Sequence, residues 1–269
     1  MPELMPVAPV RPPAPYVGGK RSLSRRLCEL IESTPHKVYA EPFAGMGGVF
    51  FRRKARPPAE IINDLSGDVA CFFRVVQEHY PALMDELKFK LSSRAEFDRL
   101  MRQDPDTLTD LRRAARFLYL QRLAFGGKVT DRSFGVSYGQ PARFDITRMS
   151  VQLQEIHDRL SGVVIEQLGF AAFLARYDRP GTLFYCDPPY WGGEDYYGKA
   201  LFARADFESL AAALKGLEGH FILSLNDVPE VREMFAWADL QPVELTYRLS
   251  GRATRAAELI ITGGGKGGP

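Results

Sequence analysis

Residues 38–48 of this 269-residue chain, VYAEPFAGMGG, contain the pattern that indicates its fold. A short apolar run ends at an acidic residue and passes into a glycine turn, which is typical of a buried strand leading into a loop. Residues 60–64, EIIND, repeat the pattern of a strand closed by a carboxylate. Residues 66–78 then have apolar side chains at helical spacing, with Ser66 as the expected cap. Strand and helix alternating in this order predict a parallel sheet with crossover helices.

The same alternation returns in the second half of the chain. Apolar runs predict strands at 162–168, 182–186, 221–225, 241–249 and 258–262, and a helix at 206–217. Between the two halves, residues 108–124 have a strongly helical pattern, and residues 125–139 alternate aromatics with glycine and polar residues. We therefore predict an open α/β sheet that is interrupted by a basic, mainly helical insert.

The composition limits the class of protein. Hydrophobic residues make up 45% of the chain and charged residues 25%, which is ordinary for a soluble globular protein. No apolar run approaches the roughly 18 residues that a membrane-spanning helix needs. Cys28, Cys71 and Cys186 are far apart and lack metal-ligand spacing, so we expect reduced cysteines and a cytoplasmic protein.

Positive charge is concentrated in the insert, although the net charge of the whole chain is only +2. Two acidic residues between 111 and 149, Asp131 and Asp145, face a larger basic set: Arg112, Arg113, Arg116, Arg122, Lys128, Arg132, Arg143 and Arg148. A local excess of this kind is expected where phosphates dock. A solvated, arginine-rich helix face would have the same composition.

The glycine turn and the second strand predict a site for an adenosine-containing ligand. A turn with Gly45, Gly47 and Gly48 lets a ligand approach the backbone, and Asp64 is placed to accept hydrogen bonds from a ribose diol. The full G-x-G-x-x-G fingerprint of dinucleotide sites is not present. Glu41 would repel a pyrophosphate but would attract the amino group of a methionine moiety, which favours S-adenosylmethionine over a nicotinamide dinucleotide.

Residues 182–191, TLFYCDPPYW, predict a rigid corner at the end of a buried strand. Pro188 and Pro189 stiffen the chain and have no N–H, so the corner presents the carboxylate of Asp187, exposed carbonyls and the ring of Tyr190. Two acceptors suit an NH₂ group, and accepting both of its hydrogens localises the lone pair of a nucleobase amine. Methyl transfer from a sulfonium would then need positioning and electrostatics, with no metal. A proline-stiffened loop without chemistry is the alternative.

Five segments of this sequence, taken in order, resemble the motifs of the Dam-type (D12 class) adenine-N6 DNA methyltransferases. They are 16–20 (YVGGK), 41–45 (EPFAG), 63–64 (ND), 117–122 (FLYLQR) and 187–190 (DPPY), and residues 224–227 (SLND) also fit. The resemblance runs from about Tyr16 to Thr262. It implies a mixed, Rossmann-like sheet of the S-adenosylmethionine-dependent methyltransferase type, with an inserted, mainly helical target-recognition region.

The resemblance also implies roles for individual residues. The predicted catalytic residues are Asp187, Pro188, Pro189 and Tyr190. The predicted cofactor-binding residues are Tyr16, Lys20, Glu41, Phe43, Gly45, Asp64, Phe170 and Asp187, with S-adenosyl-L-methionine as the cofactor. The predicted contacts to double-stranded DNA come from the composition and position of the insert and not from the resemblance; they are Phe125, Lys128, Arg132 and Tyr138. No metal site and no membrane contact are expected, and we expect a monomer or a weak dimer.

The predicted organisation follows from these motifs. Residues 1–15 form a flexible proline-rich arm, residues 16–90 and 162–262 the catalytic domain, residues 91–161 the target-recognition insert and residues 263–269 a flexible tail. Residues 125–132 are shorter than the matching run in relatives that read GATC, and the base-contacting arginines do not line up. We therefore do not predict GATC as the recognition sequence of this protein.

The sequence is also compatible with other functions. The corner at Asp187 would serve equally for methylation of cytosine N4, RNA or a protein amide. A DNA-binding paralogue without catalysis is a further alternative, although the intact Asp64 and Asp187 argue against it. The incomplete glycine pattern makes a nicotinamide dehydrogenase a poor interpretation.

Overall fold

A computed structural model describes residues 4–20, 22–136, 139–194, 201–249 and 252–265, with only the backbone at 245–249 and 252–256. The strands are β1 (Met5–Pro6), β2 (Val38–Glu41), β3 (Ala55–Arg56), β4 (Ala59–Asn63), β5 (Val164–Glu166), β6 (Thr182–Cys186), β7 (His220–Asn226), β8 (Asp239–Leu249) and β9 (Arg252–Gly264). The helices are α1 (Ser24–Ser33), α2 (Gly67–Glu78), α3 (Tyr80–Leu87), α4 (Arg94–Met101), α5 (Asp110–Leu123), α6 (Ile146–Arg159), α7 (Phe170–Tyr177), α8 (Arg204–Lys215) and α9 (Pro229–Met234).

The main sheet has seven strands in the order β5-β4-β2-β6-β7-β9-β8. Strands β5, β4, β2, β6 and β7 are parallel, whereas β9 runs antiparallel to both β7 and β8. The mixed sheet predicted from the sequence is therefore confirmed. Because parallel strands end at the same edge of a sheet, the loops after β2, β4, β6 and β7 all open on one side of the molecule.

Helices cover both faces of the sheet and give it two hydrophobic layers. Alternate side chains of β6 point in opposite directions, as the pleat of a strand requires. Leu183 and Tyr185 join the layer that contains α1, α2 and α5. Phe184 and Cys186 join the layer that contains α7 and α8. Burial on both faces explains why this strand is a continuous apolar run in the sequence.

The helices of the predicted insert share the first of these layers. Helix α5 is buried along most of its length and packs against α2, where the rings of Phe72 and Phe117 lie 5.9 Å apart. Segment 91–161 therefore includes part of the main core, together with a surface loop between α5 and α6. Ser66 precedes α2 as expected, but its side chain makes no capping hydrogen bond.

The proline-rich segment before residue 16 differs from the flexible arm that we expected. Strand β1 pairs with β3, and both Val10 and Ala14 are buried. Prolines lack an N–H but keep a carbonyl acceptor, and side chains of the helical segment donate to these carbonyls. The three donor–acceptor pairs are Gln152 Nε2 to Pro12 O at 2.7 Å, Arg122 Nη1 to Pro13 O at 3.0 Å and Gln121 Nε2 to Pro15 O at 2.7 Å.

The C-terminal strand extends further than the sequence pattern indicated. The predicted strand at 258–262 is part of the longer β9, and Gly263 and Gly264 of the expected tail still pair with β7. Residues 266–269 of that tail lie outside the described residues. None of the helices in the described ranges combines the length and the apolar character that crossing a bilayer requires.

Candidate active site

A cavity of about 1050 Å³ opens at the carboxyl edge of the parallel strands. Every residue predicted to bind the cofactor lines it: Tyr16, Lys20, Glu41, Phe43, Gly45, Asp64, Phe170 and Asp187. Pro189 of the predicted catalytic corner also lines the cavity. The structure therefore brings together Tyr16 and Pro189, which lie 173 positions apart in the sequence.

The glycine turn after β2 is held by the carboxylate that follows β4. The amide nitrogen of Gly45 donates to Oδ2 of Asp64 at 2.8 Å, and that of Ser66 donates to Oδ1 at 2.9 Å. Gly45 has φ +50°, and a Cβ there would lie 3.0 Å from the ring of Tyr16, so a larger residue would be strained. Burial raises the pKa of Asp64 to about 6, although both backbone bonds favour its charged form. Each carboxylate oxygen retains a second lone pair for a ligand.

Glu41, at the end of β2, is a buried acid on the floor of the cavity. The hydroxyl of Tyr39 donates to its Oε1 at 2.5 Å. Burial raises the pKa of Glu41 to about 8, against the opposing influence of that hydrogen bond and of the Arg53 charge. A buried carboxyl of this kind favours a cationic partner, whose charge would stabilise its ionised form.

Aromatic rings form one wall of the same cavity. The ring of Phe43 lies 5.8 Å from those of Phe170 and Phe202, and the last two rings are also 5.8 Å apart. Phe170 begins α7, directly after the loop from β5. Flat apolar surfaces beside a carboxylate suit a ligand with an aromatic base attached to a ribose.

The corner after β6 brings an acid, a lysine and a tyrosine into contact. Nζ of Lys20 lies 2.6 Å from Oδ1 of Asp187 and 2.8 Å from the hydroxyl of Tyr190. The Lys20 side chain is 2% exposed, and that of Asp187 is 20% exposed. Burial raises the pKa of Asp187, whereas the Lys20 ammonium and a hydrogen bond from Ser224 oppose that rise.

Two residues of β7, Ser224 and Asn226, contact this corner and received no role from the sequence. Ser224 Oγ donates to Oδ1 of Asp187 at 3.0 Å and lies 3.0 Å from the hydroxyl of Tyr185. The side chain of Asn226 makes two hydrogen bonds to the backbone of Trp191. Ser224 and Asn226 belong to the SLND segment, so the alternation of polar residues at a strand end was the signal that could have identified them.

The predicted DNA contacts lie in the loop between α5 and α6, and they differ in their surroundings. The side chain of Phe125 is 60% exposed and that of Lys128 is exposed. Arg132 instead turns inward, where Nη2 donates to Oε1 of Gln121 at 3.1 Å and Nε to the carbonyl of Lys128 at 3.2 Å. Tyr138 lies outside the described residues.

The arginines of α5 do not form the phosphate-binding face that their number suggested. Nε of Arg113 lies 2.7 Å from Oδ1 of Asp68, and Arg116 is buried and donates from Nε to the carbonyl of Leu100. Arg112 is exposed. Exposed Arg11 and Arg148 line the cavity and offer positive charge there. Arg148 belongs to the basic set found in the sequence, whereas Arg11 was not singled out.

The donors and acceptors of the cavity fit S-adenosylmethionine. Glu41 and Asp187 are acids that would face a ligand with ammonium and sulfonium charges. Asp64 accepts hydrogen bonds at the glycine turn, where a ribose would lie, and the phenylalanine wall would pack against an adenine. The 1050 Å³ volume exceeds the roughly 300 Å³ lower bound of small-molecule pockets, which leaves room for a target base as well.

Comparisons with known proteins relate nearly the whole chain to one class of enzymes. A model of the family described as D12 class N6 adenine-specific DNA methyltransferase matches residues 16–249. The chain is 24% identical to the type II methyltransferase M1.LlaDCHI of Lactococcus lactis subsp. cremoris, over 94% of this chain and 95% of that protein. It is 23% identical to the retron Ec67 DNA adenine methylase of Escherichia coli, over 93% and 90% of the two chains. It is 22% identical to the DNA N-6-adenine-methyltransferase of Escherichia phage P1, over 82% of this chain and 30% of that protein.

Proposed function

This chain belongs to the D12 class N6 adenine-specific DNA methyltransferase family, and from that premise we propose that the corner at Asp187–Tyr190 receives the target amine. The activity of the family is S-adenosylmethionine-dependent methylation of adenine N6 in DNA. Family membership therefore decides between adenine in DNA and the other amino groups that the corner alone would accept. The observation that supports the assignment of the corner is that Asp187 and Asp64 line one cavity.

The cofactor is proposed to lie between the glycine turn and the corner. Asp64 accepts from the ribose hydroxyls, Phe43 and Phe170 flank the adenine, and Glu41 holds the amino group of the methionine moiety. Gly45 keeps the turn open beside Tyr16. Bound S-adenosylmethionine would supply the methyl group, with the electron pair of the broken carbon–sulfur bond staying on sulfur as the carbon–nitrogen bond forms, and the proton displaced from N6 would pass to solvent.

The protein's part in methyl transfer is to make the target amine a better nucleophile. Asp187 accepts one N–H and the Pro188 carbonyl accepts the other, which draws the nitrogen toward tetrahedral geometry and localises its lone pair. Pro189 fixes the backbone of the corner. The Tyr190 ring, whose hydroxyl Lys20 holds, provides a surface on which the flipped base stacks. Asp187 acts in its ionised form, because a protonated carboxyl would no longer be an acceptor on both oxygens.

The DNA is proposed to dock along the loop between α5 and α6. Exposed Phe125 and Lys128 lie on that loop, and Arg11 and Arg148 line the cavity. In this proposal residues 16–90 and 162–262 carry out cofactor binding and transfer, and residues 91–161 provide target contacts. We propose site-specific action on double-stranded DNA by a monomer or weak dimer, with a recognition sequence set by the loop and not assumed to be GATC.

The decisive experiment maps modified bases. The protein is expressed in a host without DNA methylation, and genomic N6-methyladenine is located by sequencing. Methylated adenines within one recurring sequence are expected, and modified cytosines with unmodified adenines would contradict the assignment. Asp187→Asn is the matched inactive variant: transfer should fall below detection while the cofactor dissociation constant stays within about tenfold. An active Asp187→Asn enzyme would remove Asp187 from the reaction.

A further inference from the structure

Strand β7 runs past the end of its neighbour β6. The last paired residues are Cys186 and Leu223, and β7 then continues to Asn226 beside the loop that contains Asp187. The other edge of this extension is hydrogen-bonded to β9, where Asn226 pairs with Glu258. The loop therefore lies against a strand end that is itself held in place.

Ser224 forms the middle of a directed chain of hydrogen bonds. It is 0% exposed, and its Oγ lies 3.0 Å from both Oδ1 of Asp187 and the hydroxyl of Tyr185. An ionised carboxylate can only accept, so Ser224 donates to Asp187. The remaining hydrogen bond then has Tyr185 as its donor. Burial raises the pKa of Tyr185 well above its ordinary value, so that phenol keeps its proton.

Asn226 secures the far end of the same loop. Its Oδ1 accepts from the amide nitrogen of Trp191 at 2.9 Å, and its Nδ2 donates to the carbonyl of Trp191 at 3.0 Å. The side chains of Ser224 and Asn226 are two positions apart on a strand and share one face. One strand face therefore contacts the first and the last residue of the segment Asp187–Trp191.

We propose that Ser224 and Asn226 are positioning residues for methyl transfer, which fix the two ends of this loop at the distance that the target amine requires. The proposal rests on the role given to Asp187 above. Lys20 and Ser224 both bond to Oδ1, so Oδ2 is the oxygen that faces the amine. Within the described part of the chain, no hydrogen bond to Oδ2 is found.

Several titratable groups surround Asp187 and contribute to its pH response. They are Lys20 from the loop before α1, Glu41 at the end of β2, Tyr185 and Cys186 of β6, Glu258 of β9 and Tyr190 of the corner itself. Ser224 differs from this set because it is neutral at every pH. Removal of its donor therefore changes the pKa of Asp187 without introducing or removing a charge.

The test compares kinetics of single variants over a range of pH. Ser224→Ala should lower kcat by about tenfold or more, because a hydrogen bond to a charged group is lost, and should keep the cofactor dissociation constant within about twofold. Loss of the donor raises the pKa of Asp187, so the acidic limb of the kcat profile should move to higher pH. Tyr185→Phe should move it in the same direction by less. Asn226→Ala should lower kcat without moving the limb.

Controls separate positioning from folding. Ser209→Ala, an exposed serine on α8, should match the wild-type enzyme. Thermal unfolding shows whether each variant is folded. If Ser224→Ala does not fold, Tyr185→Phe still tests the hydrogen-bond chain, because it leaves Ser224 in place. A fall in kcat with an unmoved limb in Ser224→Ala would make Ser224 merely structural and overturn its role. Wild-type kcat in Asn226→Ala would do the same for Asn226. Both results leave the role of Asp187 intact, whereas an active Asp187→Asn enzyme would remove Asp187 from the reaction and with it the basis of this proposal.

Discussion

The ammonium nitrogen of Lys20 lies 2.6 Å from Oδ1 of Asp187, so the first and the fifth of the ordered motifs meet at one hydrogen-bonded pair. The same ammonium lies 2.8 Å from the Tyr190 hydroxyl. The sequence placed Lys20 in the cofactor site and Asp187 in the catalytic corner. Their contact makes these two sites one electrostatic unit.

Replacement of Lys20 should change the pH dependence of the reaction. Its charge is the largest influence that keeps the pKa of Asp187 from rising further under burial. Lys20→Met should therefore lower the rate at pH 7 by about tenfold or more and move the acidic limb of kcat to higher pH. Lys37→Met, an exposed lysine at the start of β2, is the control. An unmoved limb in Lys20→Met would show that the pair does not act on Asp187.

Cofactor affinity should depend on the ionisation of Asp64. Ribose hydroxyls donate to the charged form, and the pKa of Asp64 in the free protein is about 6. The affinity should therefore rise as the pH increases from 5 to 7, when the carboxyl loses its proton. Asp64→Asn should bind at least about tenfold more weakly with no rise across this range. Calorimetric titrations at three pH values measure both effects, with exposed Asp98→Asn as the control, and wild-type affinity in Asp64→Asn would remove Asp64 from the ribose.

Cofactor binding should release a proton at pH 7. Glu41 has a pKa of about 8 in the free protein and is mostly protonated at that pH. Contact with the cofactor's amino group would favour the carboxylate, so close to one proton should leave per cofactor bound. Calorimetry in two buffers of different ionisation enthalpy measures this number. Glu41→Gln should release only the small fraction of a proton that Asp64 still holds at pH 7, whereas Glu155→Gln, an exposed acid that lines the same cavity, should behave as the wild type. Full release from Glu41→Gln would assign the proton to another group.

The loop between α5 and α6 should respond to substitution residue by residue. Lys128→Ala should weaken DNA binding and reduce the slope of log K against log salt by about 1, because one phosphate contact is lost. Phe125→Ala should weaken binding without changing that slope. Arg132→Ala should mainly lower the melting temperature, since its guanidinium bonds to Gln121 inside the protein. Lys88→Ala, an exposed lysine that follows α3, is the control. An unchanged slope in Lys128→Ala would place the docking face elsewhere.

The sequence by itself determined the strand ends on which the site is built. Apolar runs that stop at Glu41, Asp64 and Asp187 are local patterns, and parallel strands bring their carboxyl ends to one edge whatever the details of packing. For this reason the parallel strands and the three acids at their ends could be anticipated from the sequence pattern. Only the resemblance to the methyltransferase family implied the roles of Tyr16, Lys20, Phe43 and Phe170.

Only the tertiary structure decided which way individual polar side chains turn. Arg132 was counted among the DNA contacts by its composition and position, yet it bonds to Gln121. The prolines before residue 16 are held because their carbonyls accept hydrogen bonds from Gln121 and Arg122, which no hydropathy pattern reveals. The bond from Ser224 to Asp187 belongs to the same class. Such contacts depend on side-chain rotamers and on distances between segments far apart in the chain, and a linear pattern contains neither.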